Sequence, residues 1–362
     1  MKNRFNRIAV KVGSNVLTRT DGTLDITRMS ALADQIAALH KQGVEIALIS
    51  SGAVASGKSV ISINKKMDEV DRRQLFSAVG QAKLINHYWE LFREHGIVVG
   101  QVLTTKENFA DRHHYLNQRN CMQVMFRNNV LPIVNENDTV SVQELMFTDN
   151  DELSGLIASM MDMEALIILS NVNGIYDGNP ENADAKIIRK IMPEQNVEEF
   201  VLPQKSSFGR GGMRTKITIA RRIAEQGIDV FIANGRSENI LLKLLDAENT
   251  ETVCTHFAAS KNNVSSVKKW IAQSEGFAKG EIYINEKAAA ALTAPKAISL
   301  LPVGIVRIEG EFEKDDLVKI FDTAGKLLGI GKTQYDSKKA GSLLGQKNQK
   351  PLVHYDYLYL EQ

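Results

Sequence analysis

Cysteine is nearly absent from this 362-residue chain, which holds only Cys121 and Cys254. Two thiols supply neither a disulfide framework nor a metal cluster, the usage of a protein in a reducing compartment. Long apolar runs are missing as well. No uninterrupted stretch approaches the ~20 residues a membrane span needs. Lys11 and Gly13 break the apolar part of the N-terminal "MKNRFNRIAVKVGSNVL", which makes it a poor signal peptide. The expectation is a cytoplasmic protein with no membrane partner. Charge of one sign is also lacking. Against 44 Lys and Arg stand 43 Asp and Glu, a net charge of +1, so nothing global points to nucleic acid or an anionic surface. No Ser–His–Asp or Cys–His arrangement is recognisable. The adjacent pair His113 and His114 lacks the spacing or Cys partner that metal ligation would use, and neighbours on a helix point apart. A structural or subunit-interface role is the expectation there. A P-loop is absent too: "FGRGGMRTK" (208–216) ends in Thr215-Lys216 followed by Ile217, not in Gly-Lys-Ser/Thr.

What is present is an ordinary globular composition, 43% hydrophobic and 24% charged, at a length that suits two domains. Short β-branched runs at 7–12, 44–50, 97–103, 130–135, 165–170 and 228–233 alternate with helical patterns at 72–94, 115–128, 152–162 and 217–226. Met29, Leu32, Ala33, Ile36 and Ala37 mark another helix by their spacing. Such alternation predicts an α/β domain over 1–260, a mostly parallel sheet sandwiched by helices. Near 260 the texture changes. "ASKNNVSSVKKW" is polar and turn-rich, and short strands follow at 281–285, 304–310, 316–322, 327–333 and 355–360. A small β-rich domain over 277–360 is the expectation.

In open α/β sheets ligands gather beyond the carboxyl ends of the strands, and four exits carry chemistry. "KVGSN" follows the first strand, with Lys11 inside an apolar run where an unpaired ammonium would be costly. "SSGAVASG" (50–57) follows the second. "ENDTV" presents Glu136, Asn137 and Asp138, and "TDNDELSG" presents Asp149, Asn150 and Asp151 ahead of a helix. The loop 208–216 leads into the helix carrying Ile217, Ala220, Ile223 and Ala224, so its glycines and backbone N–H groups suit an anion. Each stretch alone also fits a plain loop or an N-cap. Together, Lys11, Lys216 and carboxylates or amides at strand exits read as a phosphate-plus-metal site.

In order, "VKVGSNVLT", "SSGAVASG", "VNENDTV", "TDNDELSG", "NVNGIYDGNP" and "GRGGMRTK" resemble the amino-acid kinase family over nearly the whole chain, and within it the branch that phosphorylates glutamate. The resemblance implies transfer from ATP, with Mg²⁺, to the γ-carboxylate of L-glutamate, the first step of proline biosynthesis. It also implies proline as inhibitor, a homo-oligomer, and hand-over of the product to glutamate-5-semialdehyde dehydrogenase. Carried over by position, Lys11 and Lys216 would contact the transferring phosphate from two sides, and Asp151 would hold both lysines. Ser51, Asp138 and Asn150 match glutamate-binding positions. Ser170, Asn171 and the loop Arg210, Gly211, Gly212, Met213, Arg214, Thr215 and Lys216 would serve ATP. No protein ligand for the metal is assigned. Many relatives carry Thr-Asp where this chain has Ser170-Asn171; Asn keeps an acceptor but loses the charge. The polar, Lys-rich start of segment 56–81 suggests a lid over glutamate or proline.

Residues 280–320 resemble a PUA domain, a fold best known in RNA-modifying enzymes. That leaves a second reading, an RNA-binding protein, beside a third, another acid kinase of the same family. Residues 261–362 hold 15 Lys and Arg against 12 Asp and Glu, a weak surplus for an RNA binder. A structural or regulatory role for the appended domain is the expectation.

Overall fold

Alternation along β1 (Arg7–Val12) sets the geometry of the larger unit. Ile8, Val10 and Val12 enter one hydrophobic cluster, so Ala9 and Lys11 turn to the opposite face. The structure is a computed structural model that describes residues 2–63, 66–110, 112–140, 150–178, 182, 184–195, 212–261, 268, 270–271, 278–294 and 298–360. The chain divides into two compact units, Met1–Asn263 and Val264–Gln362.

In the first unit β1 is followed by α1 (Ser14–Leu17), α2 (Ile26–Lys41), β2 (Glu45–Ser50), α3 (Ala53–Lys58) and α4 (Glu69–Arg93). Next come β3 (Val98–Thr104), α5 (Glu107–Ala110), α6 (Arg112–Arg127), β4 (Val130–Glu136), α7 (Asn150–Met160) and β5 (Ala165–Ser170). The unit ends with β6 (Lys190–Ile191), α8 (Met213–Glu225), β7 (Asp229–Asn234), α9 (Ile240–Leu245) and β8 (Cys254–Phe257). The strands form one eight-stranded sheet in the order β3-β4-β2-β1-β5-β7-β8-β6. All neighbours are parallel except β7 and β8. The sequence-predicted mostly parallel sheet is therefore present, with one antiparallel pair near its edge.

Helices α2, α4 and α9 supply Met29, Ile36, Leu84, Phe92 and Leu241 to the cluster under one face. Helices α7 and α8 cover the other face, the one toward which Lys11 points. They approach closely at Gly155, where a Cβ would meet Ile219 and Ile223 at 3.0–3.3 Å. Helix α4 begins earlier than its periodicity suggested, because Asp68 caps it by accepting from the N–H of Asp71. The expected lid segment is thus mostly helix, leaving 59–68 as the connection; of that, 64 and 65 lie outside the described residues. Helix α8 likewise starts at Met213 rather than at 217.

The second unit is built on a five-stranded sheet, order β10-β9-β11-β12-β13. Its strands are β9 (Gly280–Ile284), β10 (Ile305–Glu309), β11 (Leu317–Phe321), β12 (Leu327–Thr333) and β13 (Val353–Leu360), with α10 (Glu286–Thr293) and α11 (Ser337–Ser342) between them. The β9–β11 pair is parallel and the others antiparallel. Ile282, Ile284, Leu300, Val318, Ile320 and Val353 fill its core.

Candidate active site

Three charged side chains meet where β1, α7 and α8 converge. Lys11 Nζ lies 2.5 Å from one oxygen of Asp151, and Lys216 Nζ lies 2.6 Å from the other. All three are buried: Lys11 is 4% exposed, Lys216 9% and Asp151 0%. Burying a charge is costly unless it is paired; here one carboxylate is shared by two ammonium groups, so the three side chains together retain a positive charge. The secondary structure dictates the convergence. Lys11 is the fifth residue of β1 and faces the α7/α8 layer, Asp151 sits in the first turn of α7, and Lys216 in the first turn of α8.

Around the lysines the backbone leaves space for an anion. A Cβ on Gly13 would sit 3.6 Å from Lys11 Nζ, so glycine keeps that side of the ammonium clear. Gly212 caps α8 without a side-chain hydrogen bond, and helix N-termini favour negative charge. Met213, Arg214 and Thr215 form the first turn of α8, with Arg214 exposed. At the exit of β5, Ser170 Oγ donates to Asn171 Oδ1 at 3.4 Å. Arg210 and Gly211 lie outside the described residues. Among the described residues no cluster of three or more His, Cys, Asp or Glu could hold a metal. His113 and His114 are both exposed on α6.

A second constellation occupies the exits of β2 and β4. Asn150 Nδ2 donates to Ser51 Oγ at 2.9 Å, to the Ser50 carbonyl at 2.9 Å and to Asn135 Oδ1 at 3.0 Å. Ser51 precedes Gly52, whose φ of 105° is the left-handed conformation that glycine tolerates. Ser51 and Asn150 are thus brought together. Asp138, beyond the end of β4, is paired within the protein. Its Oδ1 accepts from Arg73 Nε at 2.8 Å and its Oδ2 from Ser77 Oγ at 3.1 Å. The same guanidinium donates to Glu136 Oε2 at 3.0 Å. Asp138 already has a cation, and two buried carboxylates share it.

Sequence reasoning missed Arg73, Ser77, Gln81 and Asn135. The first three sit four residues apart on α4, one turn after another. Ser77 is 2% and Gln81 8% exposed. Their signal in the sequence was available, since polar residues at i, i+4 and i+8 stand on the same side as the apolar Leu84 and Tyr88. Helices α3 and α4 pack backbone to backbone at this point. A Cβ on Gly80 would lie 1.8 Å from the Ala53 carbonyl oxygen, and one on Gly57 1.9 Å from that of Phe76.

Comparison with known proteins agrees with this architecture. The sequence profile of the Amino acid kinase family matches residues 6–234, and that of the PUA domain residues 280–355. The Glutamate 5-kinase of Bacteroides thetaiotaomicron is 66% identical over 361 residues, covering 100% of both chains. That of Chlorobaculum tepidum is 47% identical, covering 98% of both. Among solved structures, carbamate kinase from Giardia lamblia bound to AMP-PNP superposes with a TM-score of 0.51 at 15% identity, covering 71% of this chain and 99% of that one. At that identity the likeness speaks for the fold alone. Shared fold, shared domain order and full-length identity place the chain in the amino acid kinase family, among the glutamate 5-kinases.

Proposed function

We propose that the chain transfers the γ-phosphoryl group of ATP to the γ-carboxylate of L-glutamate, giving L-glutamyl 5-phosphate and ADP. The observation that carries the proposal is the pair Lys11 and Lys216 on the single buried carboxylate of Asp151. The acceptor needs no base, because a carboxyl of pKa roughly 4.3 is already ionised at neutral pH. Its oxygen forms a bond to the γ-phosphorus while the bond to the bridging oxygen breaks, and ADP leaves with that electron pair. The barrier lies in bringing two anions together and in the charge spread over the moving group.

Lys11 and Lys216 meet that charge from two sides, and Asp151 keeps both ammonium groups in place before the reaction, so little reorganisation is needed. The N–H groups at the start of α8 add to the same field. Mg²⁺ carried on the phosphates supplies further neutralisation when bound. Ser170 and Asn171 at the β5 exit, with Gly212–Thr215, are the proposed nucleotide contacts. At the other end, Ser51 and Asn150 bind the amino-acid part of glutamate beside Asp138.

Proline carries the same α-amino and α-carboxylate groups and no γ-carboxylate, so the proposal includes its competition for these anchors. Cytoplasmic location, homo-oligomeric assembly and hand-over of the labile acyl phosphate to glutamate-5-semialdehyde dehydrogenase belong to the same reading. No helix among the described residues is long and apolar enough to cross a membrane.

The test is an ATP-dependent assay across a panel of acids, with hydroxylamine trapping the acyl phosphate as a hydroxamate. Glutamate should give the hydroxamate and aspartate or acetylglutamate should not. Failure with glutamate would overturn the assignment. In the same assay, saturating proline should raise the apparent glutamate KM; an unchanged KM would remove the overlap of the two sites.

A further inference from the structure

Glutamate brings three charges to its site at neutral pH, two carboxylates and an ammonium group. In the proposed placement the γ-carboxylate faces the lysine pair and Asp138 serves the ammonium. Ser51 and Asn150 are neutral, so the α-carboxylate is left without a cation. A cation stands beside Asp138. Arg73 turns one edge of its guanidinium inward: Nε lies 2.8 Å from Asp138 Oδ1, and Nη2 lies 2.6 Å from the same oxygen and 3.0 Å from Glu136 Oε2. Nη1 is opposite that edge in the planar group and carries no hydrogen bond among the described residues. The side chains of Asp138 and Glu136 are 8% and 4% exposed, that of Arg73 21%. Two buried carboxylates thus fix a guanidinium whose remaining N–H pair is open, in the fork geometry that suits a carboxylate.

The same end of β4 ties Arg73 to the other anchors. The Glu136 backbone N–H donates to Asn135 Oδ1 at 2.9 Å, and that oxygen also accepts from Asn150, which in turn reaches Ser51. We propose that Arg73 is a substrate-binding, specificity-determining residue: Nη1 takes the α-carboxylate of the amino acid, while Asp138, with acceptor capacity beyond its bonds to Arg73 and Ser77, takes the adjacent ammonium. A neighbouring cation and anion match the two charges that an amino acid carries on one carbon. The inference rests on the glutamate-kinase reading and adds the group that selects for the α-carboxylate. An arginine that only held Asp138 in place would act on the ammonium instead, and the two roles are separable.

The experiment uses two analogues that keep the distal carboxylate. Glutarate lacks the ammonium group, and 4-aminobutyrate lacks the α-carboxylate. The double substitution Arg73→Gln with Glu136→Gln removes one positive and one negative charge, so the cluster keeps its net charge and Asp138 keeps Ser77. The glutamate KM in the hydroxamate assay should rise by about tenfold or more, because a hydrogen bond between two charged groups is lost. The inhibition constant of glutarate against glutamate should rise in parallel. That of 4-aminobutyrate and the ATP KM should stay within about twofold, too small a change for a lost hydrogen bond. If the double variant does not fold, Arg73→Lys keeps the cation but loses the fork, and the same pattern should appear at smaller size. A glutamate KM within about threefold of the parent value overturns the inference by itself. So does an equal rise for both analogues, or a rise for 4-aminobutyrate alone, which would leave Arg73 acting only through Asp138. Absence of glutamyl hydroxamate from the unsubstituted protein would instead overturn the reading beneath it.

Discussion

Replacing Asp151 by Asn tests the buried charge cluster more severely than replacing either lysine. The substitution keeps the shape of the side chain and removes the one anion that Lys11 and Lys216 share at 2.5 and 2.6 Å. Both ammonium groups are buried, so water can take over only part of the lost interaction. Breaking a buried ion pair by removing one partner costs about 3–5 kcal/mol. In a unit of this size, about 1 kcal/mol moves the melting temperature by 2–4 °C, so the loss should reach ~6–20 °C. Turnover should fall by about 10²-fold or more, since the lysines are no longer held ready for the transferring charge. Scanning calorimetry and the hydroxamate assay read the two effects. A third measurement separates electrostatics from packing: an anion such as ATP should raise the melting temperature of Asp151→Asn more than that of the parent, because it restores the missing negative charge. A variant that melted with the parent protein and turned over within about threefold of it would refute the shared-carboxylate argument, since neither the pairing nor the preorganisation would then matter.

Three further outcomes follow from other parts of the structure. Asp138→Asn should raise the glutamate KM more than the ATP KM, with Arg73 left on Glu136 alone; equal rises would count against placing the amino-acid end there. Gly80→Ala pushes a methyl group to 1.8 Å from the Ala53 carbonyl, so α3 and α4 must separate. A stability loss of about 1–3 kcal/mol in urea titration is expected, together with a raised glutamate KM because α3 begins at the Ser51–Gly52 turn. Burial pushes the Tyr88 hydroxyl from 10.0 up to about 12, against the hydrogen bond with Ser50 that works the other way. Above pH 10 the unfolded chain ionises this tyrosine while the folded one holds the proton, so stability falls between pH 10 and 12 by about 3 kcal/mol. Tyr88→Phe should cost about 1 kcal/mol at neutral pH and lack that alkaline loss; parallel pH–stability curves for the two proteins would contradict the assignment.

Much of the scaffold was legible in the chain because burial imposes a period. "RIAVKV", "VLPIVN" and "ALIILS" are apolar runs of strand length, and each is a strand of the parallel sheet. Lys11 stood out for the same reason, an ammonium where only apolar side chains are cheap. Helix starts were read less well at α4 and α8, where periodicity begins a few residues after the cap.

The sequence by itself determined the parallel sheet and the charged, amide and glycine residues gathered at its strand exits. Strand order, the antiparallel turn of β8, and the partners of the buried polar groups were decided only by the tertiary structure. That Asp138 would be paired inside the protein was not legible, because its cation, Arg73, lies 65 residues earlier. Gln81 looked like one more residue of a helix because Asn135 lies 54 residues later. Local pattern reports which face of an element is buried; which polar group waits opposite depends on how distant segments are brought together, and a buried donor or acceptor has no preference of its own until that partner arrives.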